Sequence, residues 1–222
     1  EIRILDNVDV IHEENIVDKK NQVTIDLNGK KIESNDPEVP TLKVYEEGTL
    51  QIVDRSKEQT GIVENTAQNA IQIDIGGTFT LGINNTEITY NGPTIKGSNY
   101  GINKIKEDDK EGQFNFYDGR IIGTNAALGG SLKVDDTPVF YEYSLDSSDP
   151  NTNVATLQIN NRIEARIGTS TYNTLEEAIS FVENNPNYNI DTPVEIDVVA
   201  VDGVELDNTP VEITKNIIIK NI

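Results

Sequence analysis

Over the first 130 residues, apolar side chains take alternate positions in short runs separated by polar or glycine-rich stretches. NQVTIDLNG (21–29), EGTLQIVD (47–54), GGTFTLG (76–82) and EGQFNFYDG (111–119) each place one or two turn residues before such a run. Their first apolar positions, Val23, Leu50, Phe79 and Phe114, lie 27, 29 and 35 residues apart. A second class of run follows each: KKIES, TGIVEN, TEITY and GRIIG, centred on Ile32, Ile62, Ile88 and Ile121. A third comes after a polar loop: PTLKVYE, NAIQIDI, YGINKI and AALGG, at Leu42, Ile71, Ile102 and Leu128. Three classes of strand recurring in one order, about four times, predict a coil that stacks on itself.

No single strand here is long enough to bury an apolar face alone, so stability must come from stacking coil on coil. That puts Val23, Leu50, Phe79 and Phe114 in one interior ladder, with backbone hydrogen bonds running between coils. Phe114 and Phe116 are then interior rungs, and Tyr117 alternates to the outer face. Gly48, Gly77 and Gly112 precede three of the four first strands. They suit a corner that needs either positive φ or close approach of the next coil. Asn84-Asn85 and Asn91-Gly92 suit corners for the same reason.

The pattern breaks after Gly130. VFYEYSL and VATLQI flank a polar loop with Pro150 and predict a hairpin that caps the last coil, whose open edge would otherwise invite pairing. Thr174 followed by Glu177 forms a capping box, and Leu175, Ala178, Ile179 and Val182 share one helical face, predicting a helix over 174–185. Beyond it the opening pattern returns. Glu1-Ile2 matches Glu195-Ile196, Ile4 matches Val198, Val10 matches Val204, Val23 matches Ile217 and Ile25 matches Ile219, each 194 residues on (196 less 2, 219 less 25).

The expected architecture is all-β: a short parallel β-helix of about four coils, a capping hairpin and one short α-helix, then the start of a second β-helix unit. Its divisions are residues 1–130 for the β-helix, 131–168 for the capping segment, and 169–222 for the helix and opening strands of the next repeat. The abrupt start at Glu1, without an initiator methionine, reads as a fragment beginning just downstream of such a helix.

Composition narrows the functional classes. Thirty-eight acidic against 18 basic residues give a net charge of −20, the opposite of what a nucleic-acid backbone requires. The excess keeps an exposed scaffold soluble and self-repelling. No cysteine is present, so there is neither a disulfide framework nor a thiolate metal site. No run approaches the roughly 18 to 20 apolar residues that span a bilayer.

VTIDLNGKKI, EGTLQIVD, GQFNFYDGRIIG with TNAALGG, and ARIGTSTYNTLEEAIS resemble, in that order, a repeat of large bacterial surface proteins. In that family, right-handed parallel β-helix segments of the pectin-lyase-like type alternate with a helix motif, IG-x-x-x-Y-x-[TS]-L-x-E-A-I. Here it reads IGTSTYNTLEEAI over 167–179, with Tyr172, Leu175, Ala178 and Ile179 at the matching positions. The resemblance implies right-handedness, an extracellular address (secreted or on the bacterial cell surface) and a stalk, filament or adhesin role. It carries over no functional residue, because the motif is structural.

Candidate chemistry is sparse. His12 is the only histidine, which leaves a histidine-based zinc site or a Ser-His pair without a partner. Calcium, which wants oxygen ligands, is the one cofactor weighed, and LDSSDPNTN (145–153), with Asp146 and Asp149, is the loop selected for it. Asp54 with Arg55 and Asp118 with Arg120 are the nearest pairings to a lyase site, set against the reading that they are solvated charges at exposed corners. ALGGSLK (127–133) lacks phosphate-loop spacing, and the Thr- and Asn-rich stretch 61–82 lacks a regular Thr-x-Thr ladder. Two functions remain. The first is a structural or adhesive module without catalysis, whose partners are neighbouring repeat units and host or matrix glycans. The second is a carbohydrate-binding or carbohydrate-active protein of the polysaccharide lyase or hydrolase kind, using Tyr45, Tyr90, Tyr100 and Tyr117 as a sugar-stacking row.

Overall fold

The computed structural model describes residues 1–10, 16–17, 20–84, 92–131, 133–160, 162–199 and 212–221. The chain is all-β apart from one short helix, and it divides into two compact units. One comprises residues 1–138 and 142–158; the other comprises 139–141 and 159–222.

The first unit is a parallel β-solenoid whose turns each contribute one strand to three sheets. Its leading turn is β1 (Ile2–Arg3), β2 (Val8–Asp9) and β3 (Ile16–Val17). Four longer turns follow: β4 (Gln22–Asp26), β5 (Lys31–Ser34) and β6 (Leu42–Val44); β7 (Thr49–Val53), β8 (Ile62–Asn65) and β9 (Ile71–Ile73); β10 (Thr78–Leu81), β11 (Thr94–Gly97) and β12 (Tyr100–Lys104). A small antiparallel ear, β13 (Lys106–Glu107) and β14 (Lys110–Glu111), precedes the last turn, β15 (Gln113–Phe116), β16 (Arg120–Gly123) and β17 (Ala126–Gly130). That ear accounts for the widest spacing in the first strand class.

Register bears out two strand classes residue for residue. Val23 lies opposite Leu50, Leu50 opposite Phe79 and Phe79 opposite Phe114 in the first sheet. Leu42, Ile71, Ile102 and Leu128 align in the third. From Leu50 and Ile71 onward these residues are all buried, and the Phe79, Phe114 and Phe116 rings stack in sequence with centroids 5.7 Å apart.

The second class needs two corrections. Its fourth-turn strand is β11, with Ile95 inside, and Ile88 lies outside the described residues. In TGIVEN the interior residue is Val63, opposite Ile32 and Ile95, whereas Ile62 faces outward beside Lys31 and Thr94. Both residues are β-branched, so only pairing with the neighbouring turns decides which one points inward.

The corner glycines act by close approach. At Gly77 a Cβ would lie 2.8 Å from the Tyr45 carbonyl oxygen and 2.9 Å from that of Val44. Positive φ falls on the preceding residue instead, Glu47 in one turn and Gly76 in the next.

The hairpin forms as expected. β18 (Tyr141–Asp149) pairs with β19 (Thr152–Ile159), and β19 runs antiparallel to β16 with Ala155 opposite Ile121. An antiparallel strand ends the parallel stack of the second sheet and buries Ala155 and Leu157.

In the second unit, β20 (Ala165–Ile167) and β21 (Ser170–Tyr172) lead into α1 (Leu175–Asn184). Thr174 Oγ1 accepts the Glu177 amide at 3.1 Å, while Glu177 accepts the Asn173 amide at 3.0 Å. Glu176 and Glu177 place negative charge at the helix N-terminus, where the dipole favours it. The buried face of α1, Ala178, Ile179 and Val182, packs with Ala165 and with Val194 and Ile196 of β22 (Val194–Val198). β22 then pairs in parallel with β23 (Ile217–Asn221).

Candidate functional site

The three described tyrosines of the four, Tyr45, Tyr100 and Tyr117, do not form a row. Tyr45 follows β6 at the C-terminal margin of the third sheet, whereas Tyr100 opens β12 at the opposite margin. Tyr117 belongs to another sheet, just past β15. Tyr90 lies outside the described residues. Each described phenol or ring is engaged within the scaffold. Lys43 Nζ donates to the Tyr45 hydroxyl at 3.0 Å and sits 4.2 Å above its ring. The Tyr100 ring covers Gly129, where a Cβ would lie 2.5 Å from it. Tyr117 donates to Asp136 Oδ2 at 2.6 Å; burial first, and then the Asp136 carboxylate, push its hydroxyl up to about 12.

The loop selected for calcium is spent on its own turn. Asp146 Oδ1 accepts the Ser148 amide and Asp149 Oδ1 accepts the Asn151 amide, each at 2.9 Å. The Ser148 amide and hydroxyl hold the Asp146 carboxyl below its ordinary value. Among the described residues, no three His, Cys, Asp or Glu side chains converge as a metal would require. His12 lies outside the described residues.

The pairings weighed for a lyase resolve differently from either reading. Asp54 and Asp118 are buried. Asp54 closes its loop by accepting the Gly29, Ser56 and Gly61 amides at 2.8, 3.0 and 2.5 Å. Asp118 accepts the Gly119 amide at 2.7 Å. Asp54, which terminates three backbone donors, is a structural element of its corner. Arg55 leaves its neighbour and pairs with Glu1 at 2.5 Å.

Two charged constellations escaped sequence reasoning. On the outer face of the second sheet, Lys31 bridges Glu33 and Glu64, and Lys96 reaches Glu64 at 2.8 Å. Burial would raise the Glu64 carboxyl, but hydrogen bonds from Lys31 and Lys96 outweigh it and hold it below its ordinary range. The second constellation closes the C-terminal end of the solenoid. Lys104 occupies the interior position opposite Ile73 and is 2% exposed. Its ammonium reaches Asp135 Oδ2 at 2.7 Å and the Lys133 carbonyl at 3.0 Å. Asp135 also accepts the Phe114 amide at 2.8 Å. Its neighbour extends the first sheet by one more bridge, Asn115 to Asp136. The signal was present: Lys104 stands two residues after Ile102, where Val44 follows Leu42 and Ile73 follows Ile71.

A surface depression lies on the outer side of α1, lined by Glu177, Phe181, Asn184 and Pro186. Phe181 there contacts Tyr172 and Tyr188 at centroid distances of 5.5 and 6.2 Å. It is open to solvent. Among the described residues no helix is long and apolar enough to cross a membrane.

Fold and geometry together define a short parallel β-solenoid whose polar groups serve turns and ends. No protein-family model, curated protein or solved structure matches the chain.

Proposed function

We propose that this chain is a structural and adhesive module of a tandem-repeat protein, extracellular and carried on or secreted from a bacterial cell. The observation that carries the reading is a repeated strand pairing. β1 and β4 pair with Ile2 opposite Ile25 and Arg3 opposite Asp26; β22 and β23 pair with Ile196 opposite Ile219 and Asp197 opposite Lys220. Each partner is 194 residues on from its counterpart (196 less 2, 219 less 25). On this reading β22 and β23 open a second solenoid as β1 and β4 open the first, and α1 precedes them in the chain. Solenoid modules extend by adding turns to an open end, and an acidic surface of net charge −20 discourages lateral association. The partners are neighbouring units of the same kind, and host or matrix glycans for an adhesive role.

The repeat reading is tested by completing the second unit, placing a copy of residues 28–222 after Asn221. Hydrogen exchange should then slow at the added copies of β7 and β10 to the rates of the originals. Fast exchange there would refute a second solenoid. A glycan array, run with and without calcium, tests the adhesive part. Saturable binding lost in Tyr45→Ala and Tyr117→Ala would replace the structural reading with a carbohydrate-binding or carbohydrate-active one.

A further inference from the structure

The strand pairs β1–β4 and β22–β23 match in register and differ in what covers them. In the second unit, Ile196 is fully buried because β20 pairs antiparallel with β22 and α1 packs on the inward face of that strand. In the first unit its counterpart Ile2 is 52% exposed, and Leu5 (79%) and Val8 (40%) lie exposed beside it at the same end of the solenoid. These three side chains are the apolar end of a stack, and covering them removes apolar surface from water.

From this equivalence we propose that the N-terminal end of the first solenoid is a docking site for a strand–helix joint of the kind formed by residues 162–193. The inference rests on the tandem-repeat reading and names its contact. The incoming strand pairs antiparallel with β1, and its helix lays a small apolar face on Ile2 and Leu5, as Ala178, Ile179 and Val182 lie against Val194 and Ile196. Leu5 takes the place of Val199, whose amide donates to the Glu164 carbonyl at 3.2 Å.

The site also discriminates between joints. In the second unit, Arg166 binds Asp197 through Nε and Nη2 at 3.1 and 2.6 Å. The counterpart of Asp197 is Arg3, which reverses the charge at that point. A joint identical to residues 162–193 would bring Arg166 against Arg3, and like charges at a pairing position disfavour association. Arg3 is held on its own side by Asn28 Oδ1 at 2.6 Å and by Asp26 at 3.8 Å. The joint that fits the first unit therefore carries a carboxylate where Arg166 stands. Asn21 likewise replaces Lys215, whose ammonium closes the Val182 and Asn185 carbonyls at the end of α1.

The experiment adds a copy of residues 162–194 directly ahead of Glu1 in the full chain, once unchanged and once with Arg166→Glu in the added copy. A ten-residue helix is marginal on its own, so extra helical circular dichroism reports docking, and exchange of the Leu5 amide reports strand pairing. The Arg166→Glu copy should add the helical signal of one more α1 and slow Leu5 exchange at least tenfold. It should do so more strongly than the unchanged copy, and lose both effects on Ile179→Asp in the added segment. No gain in helix and no Leu5 protection from either copy would overturn the docking site. Equal protection by both would overturn the role given to Arg3. The completed-unit experiment is independent of this end of the chain, so a failure here leaves the repeat reading standing.

Discussion

Lys104 and Asp135 form an ion pair at 2.7 Å at a position where the interior ladder would otherwise continue with an aliphatic side chain. The lysine is almost wholly withdrawn from water, while Asp135 is also paired with Lys133 at 2.8 Å. Removing either partner of such a pair costs most where the charge left behind is buried and has least else to pair with. Asp135→Ala should cost about 3–5 kcal/mol in urea unfolding, because it leaves a buried ammonium with only the Lys133 carbonyl at 3.0 Å and Glu111 at 3.7 Å. Lys104→Met leaves Asp135 with Lys133 and the Phe114 amide and should cost less than about 1 kcal/mol. Equal losses in the two variants would remove the pair from its place as the anchor of the C-terminal end.

Phe114 lies between the Phe79 and Phe116 rings and is buried. Phe114→Ala opens a cavity that neighbouring turns, tied by backbone hydrogen bonds, cannot fill, and should cost about 3–5 kcal/mol. Its outward neighbour Asn115 donates to Thr80 Oγ1 at 3.2 Å, and Asn115→Ala should cost no more than about 1.5 kcal/mol. Denaturant midpoints of the two variants check the contrast.

At the corner, Gly77→Ala drives a Cβ into two backbone carbonyls of the preceding turn that cannot move independently. A loss of about 1–3 kcal/mol is expected. Glu47→Gly, at φ +62°, should be neutral or stabilising, because glycine adopts that conformation without strain. Thermal melts that rank the two in the opposite order would contradict the close-approach account.

Carboxylates held below their ordinary values set the acid limit of stability. For Asp135, burial opposes ionisation, but hydrogen bonds from Lys104 and Lys133 overcome it. Glu64 behaves likewise with Lys31 and Lys96, and Lys31 lowers Glu33. A lowered folded-state value contributes stability above the ordinary value and loses it as pH falls through the folded one. The melting temperature should therefore hold near neutrality and fall below about pH 4.5, the ordinary glutamate value. Glu64→Gln should flatten part of that fall, by no more than about 1 kcal/mol, since Lys96 is half exposed. A melting temperature indifferent to acid would exclude these pairs as contributors.

Tyr117 should ionise near pH 12, against an ordinary 10.0, in an ultraviolet phenolate titration. Its neutral form is favoured in the fold, so its contribution is intact below the ordinary value and is lost as pH rises through the folded one. Asp136→Asn should move the midpoint down part of the way and leave the share due to burial.

Much of the fold was legible in the chain because the physics behind it is local. Alternation in VTIDL, TLQIV, TFTL and QFNF makes strands with one apolar face. The recurrence of three classes makes a coil, and Thr174 with Glu177 starts the helix where expected. The 194-residue offset matches the register in which β22 and β23 pair, Ile196 opposite Ile219 as Ile2 lies opposite Ile25. The candidate sites were far less legible. Tyr45, Tyr100 and Tyr117 look alike in sequence, yet they stand on different sheets or opposite margins, engaged with Lys43, Gly129 and Asp136.

The sequence by itself determined the architecture, the number of strand classes and the charge of this protein. Register between turns was left to tertiary structure. It chose Val63 over Ile62, brought Ile95 into the stack, made the leading residues a turn of their own and carried Lys104 inside. It also buried Asp54 and Asp118 beneath the amides of their own loops. Alternation fixes only which residues share a face. Which face turns inward is decided by hydrogen bonds between residues a full coil apart, and no local pattern encodes that pairing.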